Sequence, residues 1–129
     1  MLYRWFVRKQ ALALCDRLSD QRFDEIPIAD NVHFVYVGDH PLATELHGAD
    51  AMRSWLRNEL FCRLPGLRFE VEEIVVEGGP WSTRMAARYV AKREGKAVYR
   101  GVQFTRVAWG KLVEERVFPD SKALAAALE

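Results

Sequence analysis

Three strand-forming runs, residues 67–77, 81–93 and 97–109, follow one another with only short turns between them, and a fourth run starts at Gly110. The turns are Gly78-Gly79-Pro80, Glu94-Gly95-Lys96 and Trp109-Gly110. Runs at this spacing pair as antiparallel hairpins. Strands this long do not lie flat, because the right-handed twist of each one accumulates across the sheet. A curled sheet has a concave face, and apolar elements must cover it.

The first half of the chain supplies the cover. Val7, Ala11, Leu14 and Leu18 recur at helical spacing, with Arg8, Gln10, Asp16 and Arg17 on other faces. Ser19-Asp20-Gln21 ends that helix, and residues 23–29, which contain Pro27, read as a turn or short helical piece. Residues 32–37 are β-branched and aromatic and read as a strand. Gly38-Asp39-His40-Pro41 is a turn, and a short strand at 43–47 follows it. Gly48 opens a second helix with a Met52, Trp55, Leu56, Leu60 stripe, and Pro65-Gly66 stops it. The whole is α+β: a curved antiparallel sheet forming a cone, with helices packed on its concave face. At 129 residues one domain, 1–129, is expected. The mouth of such a cone suits a small hydrophobic ligand.

Alternation assigns faces. In 81–93, Trp81, Thr83, Met85, Ala87, Tyr89 and Ala91 share one face, and Arg84, Arg88 and Lys92 the other. In the last strand Leu112, Glu114, Arg116 and Phe118 share a face, with Asp120 just past the end, and Val113, Glu115 and Val117 take the opposite one. The first of these two sets, acids and a base among apolar neighbours, is read as the pocket wall.

Charge narrows the partners. With 19 basic and 18 acidic residues the net charge is +1, so nothing draws the chain to nucleic acid or to an anionic membrane. No run is long and apolar enough to span a bilayer, and residues 1–7, broken by Arg4 and followed by Arg8 and Lys9, are not read as a signal peptide. Cys15 and Cys62 lie outside any CxxC or zinc-type spacing and read as free thiols in a reducing compartment, so a cytoplasmic protein is expected. His33, His40 and His47 recur every seven residues, which fits no compact ligand motif, so no metal site is expected.

The order of elements resembles the NTF2-like superfamily, with its cystatin-like α+β barrel, and in particular the SnoaL-like branch that holds polyketide cyclases. The resemblance is carried by Asp30-Asn31-Val32-His33-Phe34, Gly48-Ala49-Asp50-Ala51-Met52, Leu67-Arg68-Phe69-Glu70-Val71, Ala87-Arg88-Tyr89, Gly110-Lys111-Leu112-Val113-Glu114 and Phe118-Pro119-Asp120. It covers nearly the whole chain. It implies a cofactor-free cyclase, isomerase or hydrolase acting on a hydrophobic carbonyl compound, or a non-catalytic ligand-binding or protein-interaction module that forms homodimers through the open sheet face. Likeness to the SnoaL-type cyclases puts the base at Asp120 and a polar partner at Gln103. Likeness to ketosteroid isomerases puts a base at Asp39, but the positions of that family's oxyanion donors hold Leu14 and Val102 or Gln103 here.

The chemistry of proton abstraction next to a carbonyl needs a desolvated carboxylate and donors for the enolate oxygen. Tyr36, Trp55, Met85, Tyr89, Phe104, Glu114, Arg116 and Phe118 are the expected substrate-contacting set. Each acidic member has a second reading. Asp120 precedes a helix-like tail and reads first as an N-cap. Asp39 reads as a turn residue. Glu114, with Arg116, reads as an ion pair.

Overall fold

The computed structural model describes residues 2–129. Helix α1 (Leu2–Ser19) leads through a 3₁₀ turn (Phe23–Glu25) into β1 (Ile28–Tyr36) and the short β2 (Thr44–His47). Helix α2 (Ala49–Trp55) continues through a π-helical turn (Leu56–Leu60) into a last turn, α3 (Phe61–Arg63). Strands β3 (Arg68–Gly79), β4 (Ser82–Arg93), β5 (Lys96–Ala108) and β6 (Lys111–Pro119) follow, then helix α4 (Ser121–Ala127).

The sheet order is β2-β1-β6-β5-β4-β3. Every neighbouring pair is antiparallel except β1 and β6, which run parallel. The expectation of a wholly antiparallel sheet is corrected on this point. Hairpins alone join β3 to β6, whereas β1 reaches β6 only after the long excursion through β2, α2 and the meander, and a long crossover permits parallel pairing. The strand expected at 32–37 starts earlier, at Ile28, because β6 zips onto it: the Leu112 amide donates to the Pro27 carbonyl at 2.9 Å.

Two of the hairpins turn on two residues each. Glu94 (φ 52°) and Gly95 (φ 78°) join β4 to β5, and Trp109 (φ 51°) and Gly110 (φ 79°) join β5 to β6. Positive φ at both central residues matches the twist of the flanking strands. The pairing register slips between Val71 and Glu73, between Ala91 and Lys92, and between Arg106 and Val107. Each irregularity bends its strand and deepens the curl.

Helix α1 lies along the concave side against β3, and its end is pinned there. Ser19 Oγ accepts from the Phe69 amide at 2.9 Å, and Arg68 pairs with Asp20 at 2.9 Å. The solid core fills the end of the cone around Val32, Leu64, Leu67 and Leu124, all fully buried. An aromatic group extends it, with Trp55 against Tyr36 (4.8 Å between centroids) and Phe34 (5.1 Å).

Candidate functional site

The curled sheet and α1 enclose a hollow of about 460 Å³ that the core does not fill. That is a usual size for a small-molecule site. Its helical wall carries Val7, Ala11, Leu14 and Leu18, the stripe legible at helical spacing. Trp55, Leu56 and Leu60 flank or occupy the π-helical turn and also reach it. Its sheet wall is Thr83, Met85, Ala87 and Tyr89 from β4, Gln103, Thr105 and Val107 from β5, and Leu112, Glu115 and Val117 from β6.

Among the described residues one carboxylate lines this hollow: Glu115. Part of its side-chain surface opens onto the hollow, yet protein surrounds the carboxyl. Desolvation pushes it up to about 8 from an ordinary 4.5, against a smaller opposing pull from the Thr105 hydroxyl, which donates to Oε1 at 2.9 Å. A carboxyl in this range exchanges its proton near neutral pH, as a general acid or base must.

Three tyrosines cluster at this end of the sheet, of which Tyr36 and Tyr89 line the hollow. The Tyr36 and Tyr99 hydroxyls are 3.0 Å apart, and burial pushes Tyr36 up to about 12. The Tyr89 hydroxyl is buried and, among the described residues, has no hydrogen-bond partner. Burial foremost, then the nearness of Tyr36 and of Glu115, pushes its pKa up further still. All three stay neutral and keep their protons for donation. Gly101 makes room for this ring. A Cβ there would stand 2.6 Å from the Tyr89 hydroxyl, and Gly101 pairs directly with Tyr89 across β4 and β5.

The expected residues divide by face. Tyr36, Trp55, Met85, Tyr89 and Gln103 line the hollow. Phe104, Glu114, Arg116 and Phe118 do not: they point to the outer side of the sheet, where Phe104 and Phe118 are exposed and meet edge to face at 5.8 Å. Arg116 Nε donates to Glu114 Oε2 at 3.4 Å, as the ion-pair reading has it. The pocket wall is the opposite face of β6. An extra residue, Val113, sits between the pairs Arg106–Glu114 and Val107–Leu112, so that Leu112 shares a face with Glu115 rather than with Glu114.

Asp120 and Asp39 also lie outside the hollow. Asp120 is exposed and caps α4, with Oδ1 accepting from the Ala123 amide at 3.1 Å. Asp39 is exposed in a turn, and its amide donates to Ser121 Oγ at 3.2 Å. The cysteines differ from one another. Cys15 lines the hollow, and burial, with the nearby charges of Glu115 and Asp16, raises its thiol to about 11. Cys62 is exposed. Glu115 and Thr105 were missed as site residues. The available signal was the setting of Glu115 between Val113 and Val117, an isolated acid on a valine face, where Glu114 has a guanidinium to hold it in solvent.

Among the described residues no helix is long and apolar enough to cross a membrane. The SnoaL-like domain profile matches residues 11–115. No curated protein matches the chain. Among solved structures, an NTF2-like protein with a cystatin-like fold from Novosphingobium aromaticivorans superposes with a TM-score of 0.73 at 13% identity, over 98% of this chain and 88% of that one. A single-residue variant of a Mycobacterium tuberculosis protein of unknown function gives 0.71 at 14% identity over 98% and 86%. A protein of Jannaschia sp. CCS1, provisionally assigned as a SnoaL-like polyketide cyclase, gives 0.65 at 21% identity over 93% and 89%. These structural likenesses agree on the cone-shaped sheet and its helical cover, and the profile spans most of the chain. The fold is the NTF2-like, cystatin-like one of those structures, and the chain belongs to the SnoaL-like domain family.

Proposed function

We propose that this protein binds a hydrophobic carbonyl compound in the hollow and rearranges it without a cofactor, as an isomerase or cyclase, with Glu115 as the base. The observation that carries this reading is a carboxyl raised to about 8 inside an apolar hollow of about 460 Å³. In the ionised state Glu115 takes a proton from the carbon next to the carbonyl. The C–H electron pair becomes the enolate, and its oxygen accepts from Tyr36 or Tyr89, with Gln103 holding the substrate. The proton then returns from Glu115 to another carbon, which isomerises the compound. In a cyclisation, the enolate carbon instead forms a bond to a second carbonyl carbon, and the new alkoxide takes the proton. Preorganised donors at the developing oxyanion are the largest expected contribution to rate.

The test is exchange of carbon-bound protons in deuterated buffer, followed by NMR over a panel of aromatic and alicyclic ketones that fit the hollow. The expected result is exchange in a bound ketone that Glu115→Gln lowers about a hundredfold or more while binding persists. Equal exchange in the variant would remove Glu115 from the role.

A second reading is a non-catalytic ligand-binding or dimeric module, and the outer face favours it. Val75, Val102, Phe104 and Phe118 are exposed there, with Trp81 and Trp109 exposed at the hairpin ends. A second copy of the chain fits such a face better than solvent does. Ketone binding with no exchange at any pH would select this reading. The two free thiols agree with a reducing, cytoplasmic setting.

A further inference from the structure

The three histidines at seven-residue intervals acquire a meaning from the β1–β2 hairpin. Strand partners in this hairpin are placed symmetrically about position 40, so His33 lies directly opposite His47. Their rings stack at 4.6 Å with 3° between planes. Glu45 stands two residues from His47 along β2, on the same face, and its Oε2 is 2.5 Å from His33 Nε2. One donor atom from each of His33, Glu45 and His47 lies within 4.8 Å of the others. None of the three lines the hollow. The third histidine is spent elsewhere: His40 Nδ1 accepts from the Leu42 amide, so its Nε2 donates to the Val37 carbonyl at 2.9 Å.

We propose that His33, His47 and Glu45 form a surface site for one divalent transition-metal ion of the zinc class, with Glu114 orienting His33 from behind. Two imidazoles and one carboxylate suit zinc and its neighbours, whereas calcium and magnesium want oxygen ligands throughout. Tetrahedral ligands around such an ion stand about 3.3 Å apart, so side chains spanning 4.8 Å need only rotamer adjustments on a fixed ladder. The other side of His33 is already arranged. Glu114 is its direct partner on β6, with Oε2 4.0 Å from Nδ1, and Arg116 holds that same oxygen at 3.4 Å. At 4.0 Å this is an ion-pair separation and not a hydrogen bond; a small closing movement lets Glu114 accept from Nδ1 and leaves Nε2 for Glu45 and His47. In the metal-free protein a hydrogen bond joins Nε2 and Glu45. The ion takes the place of that hydrogen bond, and ligands that still carry a proton release it on binding. The fourth position is open to water, because Glu45 and His47 are exposed. Bound there, the ion ties the four-residue edge strand β2 to β1.

The test titrates zinc chloride into the full chain, carrying no affinity tag, by calorimetry in two buffers of different ionisation enthalpy. Expected are one site of micromolar or tighter affinity, proton release, and shifts confined to the imidazole signals of His33 and His47. His33→Ala and His47→Ala each weaken binding about tenfold or more, and Glu114→Gln does so to a smaller degree. Excess calcium does not compete, and Cys62→Ser, which removes the exposed thiol, changes nothing. Affinity no better than millimolar would overturn the proposal. So would binding that survives both histidine variants in folded protein, or binding that disappears with Cys62→Ser.

Discussion

Thr105 and Glu115 face each other directly across the β5–β6 ladder, and the threonine hydroxyl donates to the carboxyl at 2.9 Å. This is the hydrogen bond that opposes the desolvation of Glu115. Replacing Thr105 by valine removes the opposing pull. The Glu115 carboxyl of Thr105→Val is expected to titrate above that of the wild type, as read by carbon-13 NMR of the side chain. A midpoint at or below the wild-type value would show that the bond does not act on the ionised form.

The raised carboxyl makes stability depend on pH in a defined direction. Below about 4.5 both states carry the proton; between about 4.5 and 8 the unfolded chain loses it and the native chain does not. Native stability therefore falls as pH rises through this window, and the loss is complete above about 8. By neutral pH the loss is on the order of 3 kcal/mol. Glu115→Gln, which still accepts from Thr105, escapes it. Urea unfolding at a series of pH values is expected to show the variant gaining on the wild type across the window. Parallel curves would mean that Glu115 ionises normally.

The buried Tyr89 hydroxyl has no partner among the described residues, so the empty protein gains little from it. Tyr89→Phe is expected to leave stability within about 1 kcal/mol of wild type, or to raise it. The same change weakens carbonyl binding in the hollow if Tyr89 donates there. Gly101→Ala behaves differently, because its methyl group would press on the Tyr89 ring and on the Phe118 carbonyl. A destabilisation of about 1–3 kcal/mol is expected in thermal or urea unfolding.

Asp120 separates a cap from a base. Asp120→Ala is expected to cost about 1 kcal/mol through loss of the α4 cap, and Asp120→Asn almost nothing, since asparagine caps as well. Proton exchange in a bound ketone stays at the wild-type rate in both. A collapse of exchange in Asp120→Asn would return the base to Asp120.

The thiols differ in environment and are expected to differ in rate. Cys62 is exposed, whereas Cys15 faces the hollow with its thiol raised to about 11. An aromatic disulfide reagent at neutral pH is expected to label Cys62 quickly and Cys15 slowly, because thiolate is the reacting form. Mass spectrometry of the labelled peptides checks it. Equal rates would mean that Cys15 is open to solvent.

Alternation and turn chemistry were written plainly in the chain. The Glu94-Gly95 and Trp109-Gly110 turns, the Val7–Leu18 stripe and the inward row of Thr83, Met85, Ala87 and Tyr89 follow from local preferences that neighbours cannot easily override. Alternation states that Glu114 and Glu115 point opposite ways, but it does not state which way is inward. That choice belongs to the packing: α1 covers one side of the sheet, and the extra residue at Val113 shifts the phase so that Leu112 and Glu115 face inward together. The same holds for His33 and His47, whose separation along the chain carries no meaning until a hairpin folds at His40. Periodicity is a property of the chain and can be read along it. Phase, and the desolvation that turns a glutamate into a neutral-range acid, arise only when distant segments exclude water together.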